Sequence, residues 1–198
     1  MPNVTREFVA DPVAFIRENP VSSMSDTPLL TVENVALKRY DPRVVKGADN
    51  LVKLKAPEDD EASVQFYILG WRVQNVAVGQ LGSQANYFYT GPMDGCTVGI
   101  DKNWARPTVT HINLQTNTGA TDRPAMRQRV ATTLAHCTSF WTGRVNVTIV
   151  ESALNSERYK VNIFGVRGYL GWTFYRQEMD LGVFPYRVTA VETLSTSW

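Results

Sequence analysis

The sequence predicts an α+β domain with a mostly antiparallel or mixed β-sandwich core and one long and one short outer helix. Two observations favour this class. About eight or nine stretches have the alternation or the β-branched and aromatic content of strands, whereas only two have helical patterns. The 198 residues fit one domain comfortably. We therefore expect a single domain spanning 1–198, with a less regular N-terminal segment, 1–48.

The short helix is predicted at "DPVAFIREN" near the start of the chain. Asp11 is suited to cap its N-terminus, Pro12 to occupy its first position, and Pro20 to end it. A polar linker, "PVSSMSDTP", follows, and "NLVKLKA" alternates like an exposed strand. The first part of the chain is thus predicted to contain little regular structure beyond one helix.

Strands are expected to dominate from residue 63 onward. The stretch "SVQFYILGW" is apolar on both faces, as in a central strand. "ANYFYT" and "CTVGI" are short and flanked by glycines, and "TVTHINLQ" alternates cleanly. Further along, "RVNVTIV" and "RYKVNIFG" are predicted to pair as a hairpin, followed by strands at "YLGWTFYRQ" and "YRVTAVET".

The long helix is predicted between Thr121 or Asp122, as its N-cap, and Gly143 beyond its end. Its apolar residues recur every three or four positions and form one stripe that faces the core, as expected of an outer helix. The stripe consists of Met126, Val130, Leu134, Cys137 and Trp141.

Composition excludes several functional classes. The net charge of +1 provides no general electrostatic basis for binding nucleic acid or an anionic membrane. Apolar runs are shorter than the roughly 20 residues that a membrane-spanning helix needs. The N-terminus lacks the pattern of a cleavable signal peptide. Two cysteines and two histidines suggest free thiols in a reducing compartment and too few ligands for a structural metal site.

Cys96 and Cys137 have different settings. Cys137 falls on the apolar helix stripe, so it is predicted to pack in the core, and its neighbour His136 points away from that stripe. Cys96 directly follows Gly95 at the start of a strand. In that setting its thiol can be presented to a substrate, and backbone amides nearby can stabilise an oxyanion. A thiol nucleophile needs a base, and His111 on the following strand is the candidate.

The segment "TGPMDGCTV" followed by "VTHIN", within about residues 85 to 115, resembles the active-site region of the cytotoxic necrotizing factor and Burkholderia lethal factor family of toxins. These glutamine deamidases have a mixed β-sandwich core related to the chemoreceptor glutamine deamidase. Their segment reads approximately Leu-Ser-Gly-Cys, and only the Gly-Cys step is kept here, at Gly95 and Cys96. His111 stands 15 residues after Cys96, and Thr90 stands 6 residues before it.

The resemblance implies one catalytic domain in which Cys96 is the nucleophile, His111 its base and Thr90 the residue that orients the histidine. The backbone amides of Gly95 and Cys96 would hold the oxyanion. The implied substrate is a host regulatory protein that presents a glutamine, and the implied setting is a bacterial effector or toxin acting in the host-cell cytosol. No cofactor or metal is implied.

Two other functions fit the sequence. A cysteine peptidase or acyltransferase would use the same pair of residues, although the helix that carries a papain-type cysteine is missing. A non-catalytic β-sandwich module for binding or assembly would explain the aromatic-rich segment "FGVRGYLGWTFYRQEMDLGVFPY" as core or contact surface. That second alternative predicts that Cys96 is buried and unreactive.

Overall fold

The computed structural model describes residues 3–23, 29–39, 51–101, 103, 105–138, 147–152, 158–183 and 185–194. Within these ranges the chain forms three helices and twelve strands. The helices are α1 (Val4–Ala10), α2 (Pro12–Glu18) and α3 (Arg123–Thr138). The strands are β1 (Val21–Ser22), β2 (Leu30–Arg39), β3 (Val52–Lys55), β4 (Val64–Leu69), β5 (Asn75–Gln80), β6 (Tyr87–Met93), β7 (Thr97–Asp101), β8 (Thr108–Asn113), β9 (Val147–Glu151), β10 (Tyr159–Gly168), β11 (Gly171–Asp180) and β12 (Arg187–Leu194).

The predicted fold class is confirmed: the protein is a β-rich α+β domain built from two sheets. The larger sheet has the order β1-β3-β2-β4-β6-β10-β11-β12, and the smaller one has the order β5-β8-β7-β9. The pairs β1–β3 and β4–β6 are parallel and the other pairs are antiparallel. β4, the strand predicted to be central, lies inside the larger sheet between β2 and β6.

The two sheets pack face to face, and the core between them contains alternate residues of β4, β6, β10 and β11 together with residues from all four strands of the small sheet. The opposite face of the small sheet is covered by α3, whose Met126, Val130 and Leu134 pack with Ile112. The opposite face of the large sheet is covered by α1 and α2, whose Phe8 and Phe15 belong to a second apolar cluster. The helices therefore lie outside the sandwich, as the sequence predicts.

The N-terminus contains one more helix than the sequence indicates. Asp11 caps α2 as predicted, accepting a hydrogen bond from the Ala14 amide at 2.9 Å, but α1 precedes it and is capped by Asn3, which accepts from the Arg6 amide at 3.1 Å. Within segment 1–48 the described residues thus form α1, α2, β1 and the ten-residue strand β2.

A buried polar network attaches this N-terminal part to the large sheet. The Asn162 side chain donates to the Val21 carbonyl at 2.6 Å and to Gln177 at 2.8 Å, and accepts from the Tyr89 hydroxyl at 3.0 Å. Gln177 in turn donates to the Ile16 carbonyl at 2.6 Å. Asn162 and Gln177 are fully buried, so these bonds satisfy groups that water cannot reach.

The predicted hairpin of "RVNVTIV" with "RYKVNIFG" is wrong. β9 pairs with β7 in the small sheet, whereas β10 pairs with β6 and β11 in the large sheet. The chain therefore crosses from one layer of the sandwich to the other between these strands. Trp141, Gly143 and the side chains of His136 and Cys137 lie outside the described residues. None of the helices in the described ranges is long and apolar enough to cross a membrane.

Candidate active site

Thr90 points into the space between the sheets because it follows Phe88 by two residues on the same face of β6, and an irregularity after Thr90 brings Met93 to that face as well. Thr90 pairs with Ile163 of β10 and Met93 pairs with Val161, so Gly91 and Pro92 together oppose the single residue Asn162. Gly91 has φ +144°, and a Cβ at this position would clash with the Asn162 side chain. Only glycine combines this backbone angle with so close a neighbour. The "TGPM" segment thus keeps both Thr90 and Met93 buried.

His111 lies in the middle of β8 and points from the small sheet toward Thr90. Its Nδ1 is 2.6 Å from Thr90 Oγ1, and Thr90 Oγ1 is also 2.7 Å from the carbonyl oxygen of Leu69 on β4. A carbonyl oxygen can only accept, so the single hydroxyl proton of Thr90 goes to Leu69. His111 Nδ1 must then carry a proton and donate it to Thr90. This chain of two hydrogen bonds fixes the imidazole tautomer.

The other ring nitrogen, Nε2, is therefore left with a lone pair. It is buried and has no hydrogen-bond partner among the described residues. His111 is 1% exposed, and burial lowers the pKa of its imidazole to about 3. At neutral pH His111 is thus uncharged and oriented, with an unoccupied acceptor. An unpaired buried acceptor is unfavourable by about 1–3 kcal/mol, and this lone pair is available to a ligand or a reacting proton.

Cys96 lies on the same face of the small sheet as His111. Cys96, Val98 and Ile100 alternate into the core between the sheets, and Val98 pairs directly with His111. Cys96 is therefore the diagonal neighbour of His111, and such neighbours have Cα atoms about 7–8 Å apart. The thiol is not hydrogen-bonded to His111 Nε2. The candidate nucleophile and base thus share one interior without a hydrogen bond between them.

The Cys96 thiol is protonated in this arrangement. It is 1% exposed, and burial raises its pKa to about 11. This pKa is lowered by a hydrogen bond from the Asp94 backbone and by the positive charge of Lys160. The negative charge of the Asp94 carboxylate raises it further. Because Asp94 forms an ion pair with Lys160 at 2.6 Å, its charge is partly compensated.

The two predicted oxyanion donors differ in availability. The Gly95 amide donates to Ser152 Oγ at 2.6 Å, so this donor is already occupied. Ser152 N donates to the Cys96 carbonyl at 3.4 Å, and the Ser152 carbonyl accepts from the Arg123 guanidinium. The Cys96 amide has no hydrogen-bond partner among the described residues. In this structure, therefore, Cys96 offers the free amide and Gly95 does not.

Trp71 covers the imidazole. Its indole stacks on the His111 ring with centroids 6.2 Å apart and planes inclined by 26°. Trp71 is partly exposed and follows β4 in the connection to β5. Together with Ser152, it is a residue of this region that sequence reasoning missed. For Trp71 the available signal was its place just after a glycine at the end of a central strand, and for Ser152 there was none.

Burial of neutral His111 makes folding stability depend on pH. The unfolded chain binds a proton at this histidine below the ordinary pKa of 6.5, whereas the folded chain does so only near 3. Stability is therefore lost as the pH falls through this window. Between pH 7 and pH 5 we expect the unfolding free energy to fall by about 2 kcal/mol more in wild type than in His111→Gln. Urea unfolding at both pH values measures this, with His136→Gln as the control. Equal pH dependence in wild type and His111→Gln would contradict the burial of an uncharged imidazole.

In the described part of the chain no cluster of three or more His, Cys, Asp or Glu side chains is placed to hold a metal ion. The site consists instead of a buried thiol, an oriented imidazole and a free backbone amide. No protein-family model matches this sequence, and no curated protein matches it significantly.

Proposed function

We propose that the chain is a cysteine-dependent protein glutamine deamidase with Cys96 as nucleophile, His111 as general base and Thr90 as the positioning residue. One observation carries the proposal: Thr90 holds His111 Nδ1, which leaves a buried, unpaired Nε2 in the same interior as Cys96. A histidine with only a structural role would be expected to use both ring nitrogens in hydrogen bonds.

The residues support a two-step hydrolysis. His111 Nε2 takes the thiol proton of Cys96, and the thiolate attacks the carbon of a side-chain carboxamide. The Cys96 amide would donate to the oxyanion that forms. The C–N bond breaks, the nitrogen leaves as ammonia with the proton from His111, and a thioester remains. Water, deprotonated by His111, then attacks the thioester, and Cys96 leaves as a thiol with that proton.

The net reaction converts an amide and water into an acid and ammonia. At neutral pH the target thus gains a negative charge where it had a neutral side chain. Such a change can lock or disable a regulatory protein. In keeping with the toxin resemblance, the proposed target is a host regulatory protein, and the proposed setting is that of a bacterial effector in the host-cell cytosol.

One observation favours the non-catalytic alternative. Cys96 is buried and its pKa is raised to about 11, as a binding or assembly module would predict. Proton transfer from Cys96 to His111 in this closed interior would create two charges in an apolar environment, which is strongly unfavourable. The deamidase proposal therefore requires that polar groups of the substrate, or water, enter the interior before the reaction.

The deciding experiment is the rate of Cys96 alkylation by iodoacetamide at neutral pH, measured peptide by peptide with mass spectrometry. We expect His111→Gln to slow the reaction at least about tenfold, a modest share of the acceleration that a general base provides. Cys137, resolved on its own peptide, serves as the internal reference. A rate that is unchanged by His111→Gln would leave the binding module as the better account. A positive result justifies screening host lysates for the amide-to-acid mass change, which wild type but not Cys96→Ala should produce.

A further inference from the structure

The candidate site is closed from most directions by regular structure. His111 is on β8, which lies between β5 and β7. Its cross-strand partners are Ala77 on β5 and Val98 on β7, and both are buried. Thr90 covers it from the large sheet. Opening the interior through any of these residues would break strand pairing. Trp71 is different, since it covers the ring from a connection outside the strands and is itself partly exposed.

The segment Gly70–Gln74, called here the cover segment, has anchors at its two ends. At one end the Gly70 amide donates to the Leu29 carbonyl at a long 3.5 Å. At the other end the Gln74 side chain donates to the Gln115 carbonyl at 3.0 Å and accepts from the Gln115 amide at 3.4 Å. Between these anchors Val73 is 48% exposed. A short exposed segment with polar anchors opens at a far lower free energy than a sheet.

We propose that Trp71 is a specificity-determining residue, which admits an unsubstituted carboxamide to His111 and Cys96 and excludes an N-substituted amide such as a peptide bond. This inference rests on the proposed function. The glutamine side chain displaces the indole only partly, and its methylene groups then pack against the ring. A substituent on the amide nitrogen would need the space that Trp71 occupies over His111.

The depth of Cys96 and His111 explains why Trp71 can select between an unsubstituted and an N-substituted amide. Cys96 and His111 lie below the surface, so a substrate must insert a slender side chain between the cover segment and the strands. A glutamine amide ends in a small NH₂ group and can enter. The nitrogen of a peptide bond carries the next residue of the chain, so a peptide bond is too bulky to enter. The same residue thus separates deamidation from proteolysis, although both reactions share the chemistry up to the thioester.

Two reagents with the same reactive carbon test this directly. Iodoacetamide carries an unsubstituted amide, and iodoacetanilide carries a phenyl group on the amide nitrogen. The ratio of their rates at Cys96 cancels changes in thiol ionisation, so it reports on access alone. We expect Trp71→Ala to raise the relative rate of iodoacetanilide by about tenfold or more, the effect of removing one steric wall of a pocket. Trp71→Phe should stay near wild type.

A matched control is Tyr169→Ala, which removes a fully exposed aromatic side chain (103% exposed) at the turn between β10 and β11 and should change nothing. Gln74→Ala provides a second route, since it releases one anchor while keeping the indole, and both rates should rise. If Trp71→Ala does not fold, the ratio is measured in Trp71→Leu, and Gln74→Ala still tests whether the cover segment controls access to Cys96. An unchanged ratio in folded Trp71→Ala, or unchanged rates in Gln74→Ala, would overturn the proposal.

The same data separate this inference from the proposed function. If His111→Gln leaves the iodoacetamide rate unchanged, the deamidase proposal fails, while the reagent ratio still shows whether Trp71 covers Cys96. If His111→Gln slows alkylation but the ratio does not respond to Trp71→Ala, the catalytic pair stands and substrate selection lies elsewhere.

Discussion

Replacing Thr90 with valine is expected to reduce the His111-dependent reactivity of Cys96 by about tenfold, the equivalent of the roughly 1.4 kcal/mol that one well-formed hydrogen bond contributes. Valine keeps the shape of threonine but removes the hydroxyl that accepts from His111 Nδ1. The Nδ1–H form would then have an unsatisfied buried donor. Because Nε2 has no partner among the described residues either, no hydrogen bond then selects one tautomer, and part of the population carries the proton on Nε2, the atom that must accept the thiol proton.

Thr90→Ser is the matched variant, because it keeps the hydroxyl and should stay within about threefold of wild type, a difference of well under 1 kcal/mol. The tautomer itself can be observed by ¹⁵N NMR, which is simple in a chain with only two histidines. Wild type and Thr90→Ser should carry the proton on Nδ1, whereas part of the Thr90→Val population should carry it on Nε2. If Thr90→Val retains both the Nδ1 proton and full reactivity, Thr90 has no positioning role.

The largest effect on stability is expected for Asn162→Leu, which should lower the free energy of unfolding by about 3–5 kcal/mol. Asn162 is fully buried and donates to both Val21 and Gln177 while accepting from Tyr89. Leucine would leave the Val21 carbonyl and the Tyr89 hydroxyl proton without these partners, at about 1–3 kcal/mol for each group, while Gln177 Oε1 would keep only the long bond from the Val21 amide at 3.4 Å. The attachment of the N-terminal helices to the large sheet would weaken at the same time.

Urea unfolding measures this loss, and Lys38→Ala provides the comparison. Lys38 forms ion pairs with Glu58 at 2.7 Å and Glu61 at 3.0 Å at the surface, where such pairs contribute about 1 kcal/mol or less. We therefore expect a much smaller change for Lys38→Ala than for Asn162→Leu. Similar losses in the two variants would show that the buried network contributes little to the attachment of the N-terminal part.

Local patterns in the sequence were enough to place most of the elements. The β-branched and aromatic stretches coincide with β4, β6, β7, β8, β10, β11 and β12, because strands of a sandwich select residues that fit a half-buried pleated surface. Asp11 was recognisable as a cap, since a carboxylate before a helical pattern satisfies exposed amides. For α3 the sequence left Thr121 and Asp122 as alternatives, and it is Asp122 that accepts from the Ala125 amide, at 3.1 Å. The apolar stripe of α3 identified the face that Met126 and Val130 bury.

The sequence was less informative about which strands become neighbours. The sequence predicts a hairpin of β9 and β10 because they follow each other along the chain, but β9 pairs in the small sheet and β10 in the large sheet. Strand periodicity specifies which side of a strand is buried and not which edge it joins, so partner choice depends on the packing of the whole sandwich. The additional helix α1 was missed for a related reason, because a seven-residue helix depends on its caps and tertiary contacts more than on its own propensity.

For the candidate site, too, the sequence identified some features and the tertiary structure decided others. Cys96, His111 and Thr90 could be named from residue type, spacing and resemblance, since their chemistry is visible in the letters of the sequence. Their protonation states and availability were decided by the fold. Leu69 lies 21 residues from Thr90 and Ser152 lies 57 residues from Gly95, and only the packing of two sheets brings these partners together. That packing sets the tautomer of His111, occupies the Gly95 amide and places Trp71 over the imidazole, because hydrogen bonds and burial between distant segments exist only once the layers have closed.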